Sequence, residues 1–328
     1  MHSRTPSYRF LFIAAVVLFA TSTALAVTYY RRHQAATAEV QLRNEMNPFA
    51  ISLNKTRDKE YSFVVDNYGY LYRGTTGNLI DDSVLVFGAW EKHILFFIDD
   101  YAKATGTRDT AFVDVGANTG QYALFMATRA KEVHAIEPFP PVLKHLHANL
   151  ALNKFPNVKV HELGLGDKEG TIPFFEPADA NHGGGTFRAE GHDGRGQKRG
   201  TDLRVTTGDE VLKAATAPVG SMKIDIEGFE EPALKGLRKT LEKDRPMVVV
   251  EVSAPPAGTI GSLDQLKSLF PEKYEFFVLV ENQNQFLSGK YQVEPFAPLA
   301  ADFFKAPGQR NVVAVPAEHA AKTPRKRE

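Results

Sequence analysis

The stretch Asp114-Val115-Gly116-Ala117-Asn118-Thr119-Gly120 (DVGANTG), entered from the apolar run Ala111-Phe112-Val113, decides the fold. A short apolar run followed by a glycine turn and then a helical pattern over residues 121–130 reads as strand, turn and helix. Glycines at such a turn let the backbone approach a ligand with no Cβ in the way. The helix that follows offers free amide groups to a polar ligand. The glycines are not spaced as G-x-G-x-x-G, so no pyrophosphate cradle is specified. Asp114 at the strand end is ill placed beside a phosphate and well placed beside a cationic or hydroxyl-bearing ligand.

The next strand, over 132–136, ends in Glu137-Pro138. An acidic side chain about 20 residues after a glycine turn accepts the ribose hydroxyls of a bound nucleoside. By itself a carboxylate before proline also suits an unliganded turn; joined to the glycine turn at this separation, the nucleoside reading is favoured. A third constellation is Lys223-Ile224-Asp225-Ile226-Glu227-Gly228-Phe229-Glu230. On a strand, Lys223, Asp225 and Glu227 project to one face, alternating with Met222, Ile224 and Ile226. Gly228 then turns the chain into a helix, with Glu230 and Glu231 suited to its first turn. Three carboxylates at a strand tip suit a metal, a general base or a solvated end. A metal needs further oxygen ligands that the sequence does not supply, so no metal is expected and a base beside the pocket is.

Strand and helix patterns alternate outward from this centre. Residues 61–66 and 70–73 flank Asn67-Tyr68-Gly69 as a hairpin, and 91–104 has helical spacing. A helix over 141–153, strands over 158–163, 222–226 and 247–252, a helix over 231–241, a helix over 262–270 and strands over 275–280 and 311–315 complete the pattern. The fold class expected is α/β, a mainly parallel sheet with helices on both faces.

The chain has 328 residues, 43% hydrophobic, and balances 39 Lys+Arg against 39 Asp+Glu. That apolar content excludes dominant disorder, and the zero balance gives no electrostatic reason to expect a nucleic-acid partner. The absence of cysteine excludes a disulfide scaffold, a thiolate zinc site, an iron–sulfur cluster and a cysteine nucleophile.

Residues 1–31 read as a membrane anchor or signal segment. Residues 10–28 carry no charge, with Arg4 and Arg9 before them and Tyr29, Tyr30, Arg31 and Arg32 after. The run reaches the span of a bilayer, and an anchored body facing the cytoplasm is favoured. The alternative is a signal cut after Ala24-Leu25-Ala26, leaving a secreted, periplasmic or luminal protein. Residues 32–60 read as a connector, 61–316 as the folded domain, and 317–328 as a solvated basic tail. Residues 181–200 (NHGGGTFRAEGHDGRGQKRG) form a glycine-rich insert, either a plain surface loop or a lid offering His182, Arg188, His192 and Arg195 to a substrate.

The motifs D-V-G-A-N-T-G, I-E-P, L-G-L-G-D, M-K-I-D-I-E-G-F-E and V-V-V-E, in this order between Gly88 and Val252, together resemble the FkbM family of S-adenosylmethionine-dependent methyltransferases. The upstream Gly88-Ala89-Trp90-Glu91 is similar to the family's helix start. The resemblance implies the class I methyltransferase (Rossmann-like) fold. It implies that Asp114, Gly116, Asn118 and Gly120 contact the amino-acid part of the cofactor and that Glu137 binds its ribose. Gly166 and Asp167 would lie near the adenine, and Asp225 and Glu227 would line the methyl-transfer cleft. It further implies O-methylation of a hydroxyl on a sugar, glycan or natural product. A hydroxyl is a poor nucleophile near neutral pH, so a base is expected beside it: Asp225 or Glu227, with His182 or His192 as competitors. The chain departs from the family in its N-terminus, its insert, and Gly208 before Asp209. Two rival readings are an NAD(P)-dependent oxidoreductase, which lacks its third glycine here, and a membrane-tethered, non-catalytic nucleoside-binding module.

Overall fold

The computed structural model describes residues 61–177, 184–188, 198–253, 260–280, 288–296, 304 and 309–328. The chain enters through a hairpin. Strands β1 (Ser62–Asn67) and β2 (Tyr70–Thr75) pair antiparallel around Tyr68 and Gly69, both at positive φ (55° and 87°). Two left-handed residues in a two-residue loop match the twist of the flanking strands. Helix α1 (Leu79–Phe87) starts on Asn78, whose side chain accepts the amides of Ile80 and Asp81. After α2 (Lys92–Thr105) the alternation begins: β3 (Ala111–Val115), α3 (Gln121–Ala127), β4 (Glu132–Ile136), α4 (Pro140–Asn153) and β5 (Val158–His161).

A small insert follows, with β6 (Gly164–Leu165), β7 (Gly170–Glu176) and β8 (Lys198–Thr206) forming a separate sheet in the order β6-β8-β7. The chain then returns through α5 (Gly208–Val211), β9 (Val219–Ile224), α6 (Glu230–Gly236), α7 (Arg238–Asp244), β10 (Met247–Ser253) and α8 (Leu263–Ser268). It closes with β11 (Tyr274–Leu279), β12 (Tyr291–Pro295), β13 (Gln309–Pro316), α9 (Ala317–Ala320) and β14 (Lys326–Arg327).

The main sheet runs β14-β12-β11-β13-β10-β9-β3-β4-β5. Its β10-β9-β3-β4-β5 half is parallel throughout, and β13 is inserted antiparallel between β10 and β11. Read from its β5 edge, the first seven strands, β5-β4-β3-β9-β10-β13-β11, have the arrangement of a class I methyltransferase-like sheet, and β12 and β14 extend it beyond β11. Its central strand β10 (MVVVEVS) reads as a near-continuous apolar run because both faces are covered. Phe112, Val249 and Val313 join the cluster under the hairpin, α2 and α3, whereas Val113, Val248, Val250 and Val312 join that under α6, α7 and α8.

Three expectations differ from what is found. The helix expected over 231–241 is two helices that meet at Leu237, whose backbone (φ −101°, ψ 7°) leaves the helical conformation; Gly236 before it packs against the Gly166 carbonyl. Asp209 then restarts the helix by accepting the amides of Lys239 and Thr240. The glycine-rich region is bounded by paired strands rather than being a bare loop. Residues 317–328, expected as a solvated tail, dock on the fold instead. Ala320 is in the core, β14 pairs with β12, and Arg327 bonds Asp100 (2.9 Å) over the Phe96 ring. Among the described residues no helix is long and apolar enough to cross a membrane; the apolar segment 10–28 lies outside them.

Candidate active site

Chain order reverses at β3, which has β4 on one side and β9 on the other. Ligands of open α/β sheets bind at such a switch point, outside the carboxyl ends of the strands. Backbone bonds draw three strand ends together there. The Gly116 and Ala117 amides both donate to the Ile136 carbonyl (3.0 Å each), and the Asp225 amide donates to the Val115 carbonyl (3.0 Å). Gly116 has φ 84°, and an added Cβ would sit 2.0 Å from the Asp225 carbonyl oxygen. No other residue type fits between these two turns. Gly120, at φ 94°, lets α3 start against Leu146, whose Cδ1 is 2.5 Å from where a Cβ would stand.

Glu137 closes the turn from the other side. Its Oε2 accepts the Asn118 amide (3.0 Å) and its Oε1 the Phe139 amide (2.9 Å). Asn118 takes φ 50°, a left-handed conformation that asparagine tolerates better than most residues. Burial pushes Glu137 up to about 7, against the pull of those two amides. Asp114 is also driven up to about 7 by burial, with Lys223 opposing. Neither Asp114 oxygen has a well-formed hydrogen bond among the described residues, although the Ala123 amide approaches.

The Lys223 stretch behaves differently from a continued strand. Lys223 and Asp225 do share a face, paired at 2.5 Å. Glu227, however, lies beyond the end of β9 in a left-handed turn (φ 52°) followed by Gly228 (φ 96°). That turn is held by Glu230, which accepts the Ile226 and Gly228 amides (3.2 and 3.0 Å) rather than serving chiefly the helix that follows. Burial favours the neutral form of Asp225, but Lys223 and a hydrogen bond from Glu251 outweigh it and hold the group below the carboxylate range. Lys223 also faces Glu91 (3.5 Å) and stands over the Tyr122 ring, whose hydroxyl donates to Glu91 (3.0 Å).

Two residues of this group carried no assignment from sequence. Glu251 lies near the end of β10, and Gln309 begins β13; the Gln309 amide donates to both Glu227 (3.0 Å) and Glu251 (2.8 Å). An acid closing the apolar run MVVVE was a readable signal for Glu251. Gln309 had none, because its strand arrives from far along the chain.

The other expected residues divide. Asp167 is exposed in the turn after β6, so its side chain is not in the buried group. Gly166 beside it is fixed by its amide bond to the Thr206 carbonyl (2.9 Å). His182, His192 and Arg195 lie outside the described residues. Arg188 lies within them, next to Thr186, whose hydroxyl donates to the Glu227 carbonyl (2.7 Å), and Phe187, which packs between Phe174 and Phe229. The insert is thus fastened to the turn that carries Glu227. Among the described residues no cluster of His, Asp and Glu is arranged to hold a metal ion.

A mainly parallel sheet of this order, with a glycine turn and an acid facing each other at its switch point, defines a class I methyltransferase-like domain. The Methyltransferase FkbM domain matches residues 114–285, just over half of the chain, and the chain belongs to that family. It is 29% identical over 148 residues to the hexuronic acid methyltransferase AglP of Haloferax volcanii, covering 44% of this chain and 57% of that one. It is 27% identical over 212 residues to the AMB antimetabolite synthetase AmbE of Pseudomonas aeruginosa, covering 53% of this chain and 10% of that one. The crystal structure of methyltransferase FkbM from Methylobacillus flagellatus KT aligns with 63% of this chain and 44% of its own at 18% identity, with a TM-score of 0.40. The chain therefore spans little more than half of the first of these curated relatives and a tenth of the second. The cofactor that goes with this family is S-adenosylmethionine. The residues present fit it: a buried carboxyl, Asp114, without a well-formed partner, a turn that excludes any Cβ at Gly116, and an acid at Glu137.

Proposed function

We propose that this protein is an S-adenosylmethionine-dependent O-methyltransferase whose acceptor is a hydroxyl on a sugar, glycan or natural product. The observation that carries the reading is the convergence of Gly116, Glu137 and Asp225 at one switch point, in a pocket far richer in carboxyls than in cations. When bound, the cofactor supplies a methyl carbon on a cationic sulfur, open to in-line attack. Asp114 and Glu137 would hold its ammonium and ribose ends, and the backbone of Gly116, Asn118 and Gly120 would pass beneath its amino-acid part. Asp167 is the weaker member of the set, since its carboxylate faces solvent; its backbone turn remains the candidate neighbour of the adenine.

Asp225 and Glu227 face the acceptor side. A hydroxyl becomes strongly acidic as its oxygen bonds to carbon, so even a carboxylate held low by Lys223 can take that proton late in the reaction. Base assistance of this kind contributes about 10²–10⁴-fold. Alignment of hydroxyl and methyl contributes more, up to roughly 7–11 kcal/mol. The AglP relative makes a hexuronic acid the first acceptor to try. Purified protein with isotopically labelled cofactor and a methyl glucuronoside, beside a panel of neutral glycosides and lipids, should label at least one hydroxylated acceptor. Asp225→Asn and Glu227→Gln should each lower kcat with cofactor affinity kept; full turnover in both removes the carboxylate base. Residues 10–28 support an anchor with the body in the cytoplasm, where the cofactor is made; release of the full chain from membranes by high-pH carbonate would count against it.

A further inference from the structure

The Asp225 side of the pocket holds more carboxyl groups than its charge can sustain. Glu251 is 7% exposed, hydrogen-bonded to Asp225, and bonded at Oε2 by the Gln309 amide (2.8 Å). The groups facing it come from four directions: Lys223 from β9, Asp225 and Glu227 from the turn beyond it, Glu91 from the start of α2, and neutral Gln309 from β13. Lys223 is already divided between Asp225 and Glu91, at 2.5 and 3.5 Å. Two carboxyls in hydrogen-bond contact cannot both ionise in such a site, and one keeps a proton. Asp225 has the lysine, so the proton belongs to Glu251.

We propose that Glu251 is the proton-bearing positioning partner of Asp225: its neutral carboxyl donates to Asp225, and Gln309 spans from Glu251 to Glu227, so that three acids from two segments keep one orientation and one charge state. Burial, and then the charges of Asp225, Glu227 and Glu91, push Glu251 well above the usual carboxyl range, in keeping with this. The role rests on the methyltransferase reading only for its consequence in turnover; the proton itself is a property of the unliganded protein. Glutamine is the faithful substitute, since its amide donates as the protonated acid does, and alanine removes the donor.

The test has a cofactor-free arm and a catalytic arm. In the infrared spectrum of the unliganded protein at pH 7, Glu251→Gln should remove one protonated-carboxyl band. A group whose pKa is raised on folding stabilises fully below its unfolded value and loses that contribution as pH rises through its folded value. The fall in Tm between pH 5 and pH 8 should therefore shrink by roughly 5 °C or more in Glu251→Gln. In the catalytic arm, Glu251→Ala should lower kcat about 10–100-fold with little change in the KM for S-adenosylmethionine, and Glu251→Gln should restore most of it. If Glu251→Ala does not fold, Gln309→Ala takes its place and should lower kcat while leaving the protonated-carboxyl band present. An unchanged band and an unchanged Tm slope in Glu251→Gln overturn the proposal even if the protein methylates. A lost band with no methyl transfer to any acceptor leaves the proton in place and overturns the proposed function instead. Equal loss of kcat in the Gln and Ala variants overturns the donor role of Glu251.

Discussion

Substituting Gly116 by alanine perturbs the pocket at its tightest point. The new Cβ would lie 2.0 Å from the Asp225 carbonyl oxygen and 3.1 Å from its carbon, both backbone atoms of the neighbouring strand end. No side-chain rotation relieves this, so the β3 and β9 ends must part by about 1 Å. Alanine at φ 84° adds about 1–2 kcal/mol for the left-handed backbone, and overpacking adds about 1–3 kcal/mol. Their sum is about 2–5 kcal/mol of stability, or roughly 5–15 °C in Tm for a domain of this size. A 1 Å misplacement also costs about 10²-fold in a catalytic geometry. Thermal unfolding by circular dichroism with and without S-adenosylmethionine reads both effects. Gly116→Ala should melt early and lose most of the cofactor-dependent rise in Tm. A variant with wild-type Tm and wild-type cofactor stabilisation would refute the close approach of these strand ends and the pocket built on it.

Glu137→Gln should weaken S-adenosylmethionine about 10–100-fold in calorimetry, since a charged acceptor bond is lost. It should also lower Tm, because the new amide NH₂ meets an amide donor of Asn118 or Phe139; a Kd within twofold of wild type counts against Glu137 as the ribose acceptor. Phe187→Ala removes a ring packed between Phe174 and Phe229 (5.2 and 5.4 Å). It should cost about 2–3 kcal/mol and raise the acceptor KM more than the cofactor Kd; equal effects on both would detach the insert from acceptor binding. The unliganded protein should lose stability from pH 5 to pH 8, because Asp114, Glu137 and Glu230, each near 7 when folded, stabilise most when protonated. A Tm that rises over this range contradicts their burial as neutral acids.

The centre of the fold was legible because its signals are local. Strands 111–115 and 132–136 are buried on both faces; the first reads as a short apolar run, and the second is marked by its place between two helical patterns although it carries Glu132 and His134. Glu137 was readable by its distance from the glycine turn. Glu227 was misjudged because strand alternation was carried past the end of β9, where Glu230 bends the backbone by binding two of its amides. Strand β8 (KRGTDLRVT) hid in a polar, glycine-bearing stretch, since a half-exposed strand needs few aliphatic residues. The basic residues near the C-terminus suggested solvation; Arg325 and Arg327 instead lie over the Phe277 and Phe96 rings, where a guanidinium packs its flat face on an aromatic. Gln309 meets Glu227 only through tertiary structure, 82 residues away, and no local pattern could announce it.

Calorimetric titration of the purified chain with S-adenosylmethionine and with S-adenosylhomocysteine, at pH 6 and pH 8, tests the pocket most directly. A cationic ligand favours ionised Asp114 and Glu137, so binding should release protons and tighten as pH rises, by up to about tenfold per unit for each proton displaced. The product keeps the ammonium and ribose ends that Asp114 and Glu137 would hold, so it should show a similar gain. No binding at either pH, or a methyl-donor affinity that falls between pH 6 and pH 8, would contradict an acid-lined cofactor pocket at this sheet's switch point.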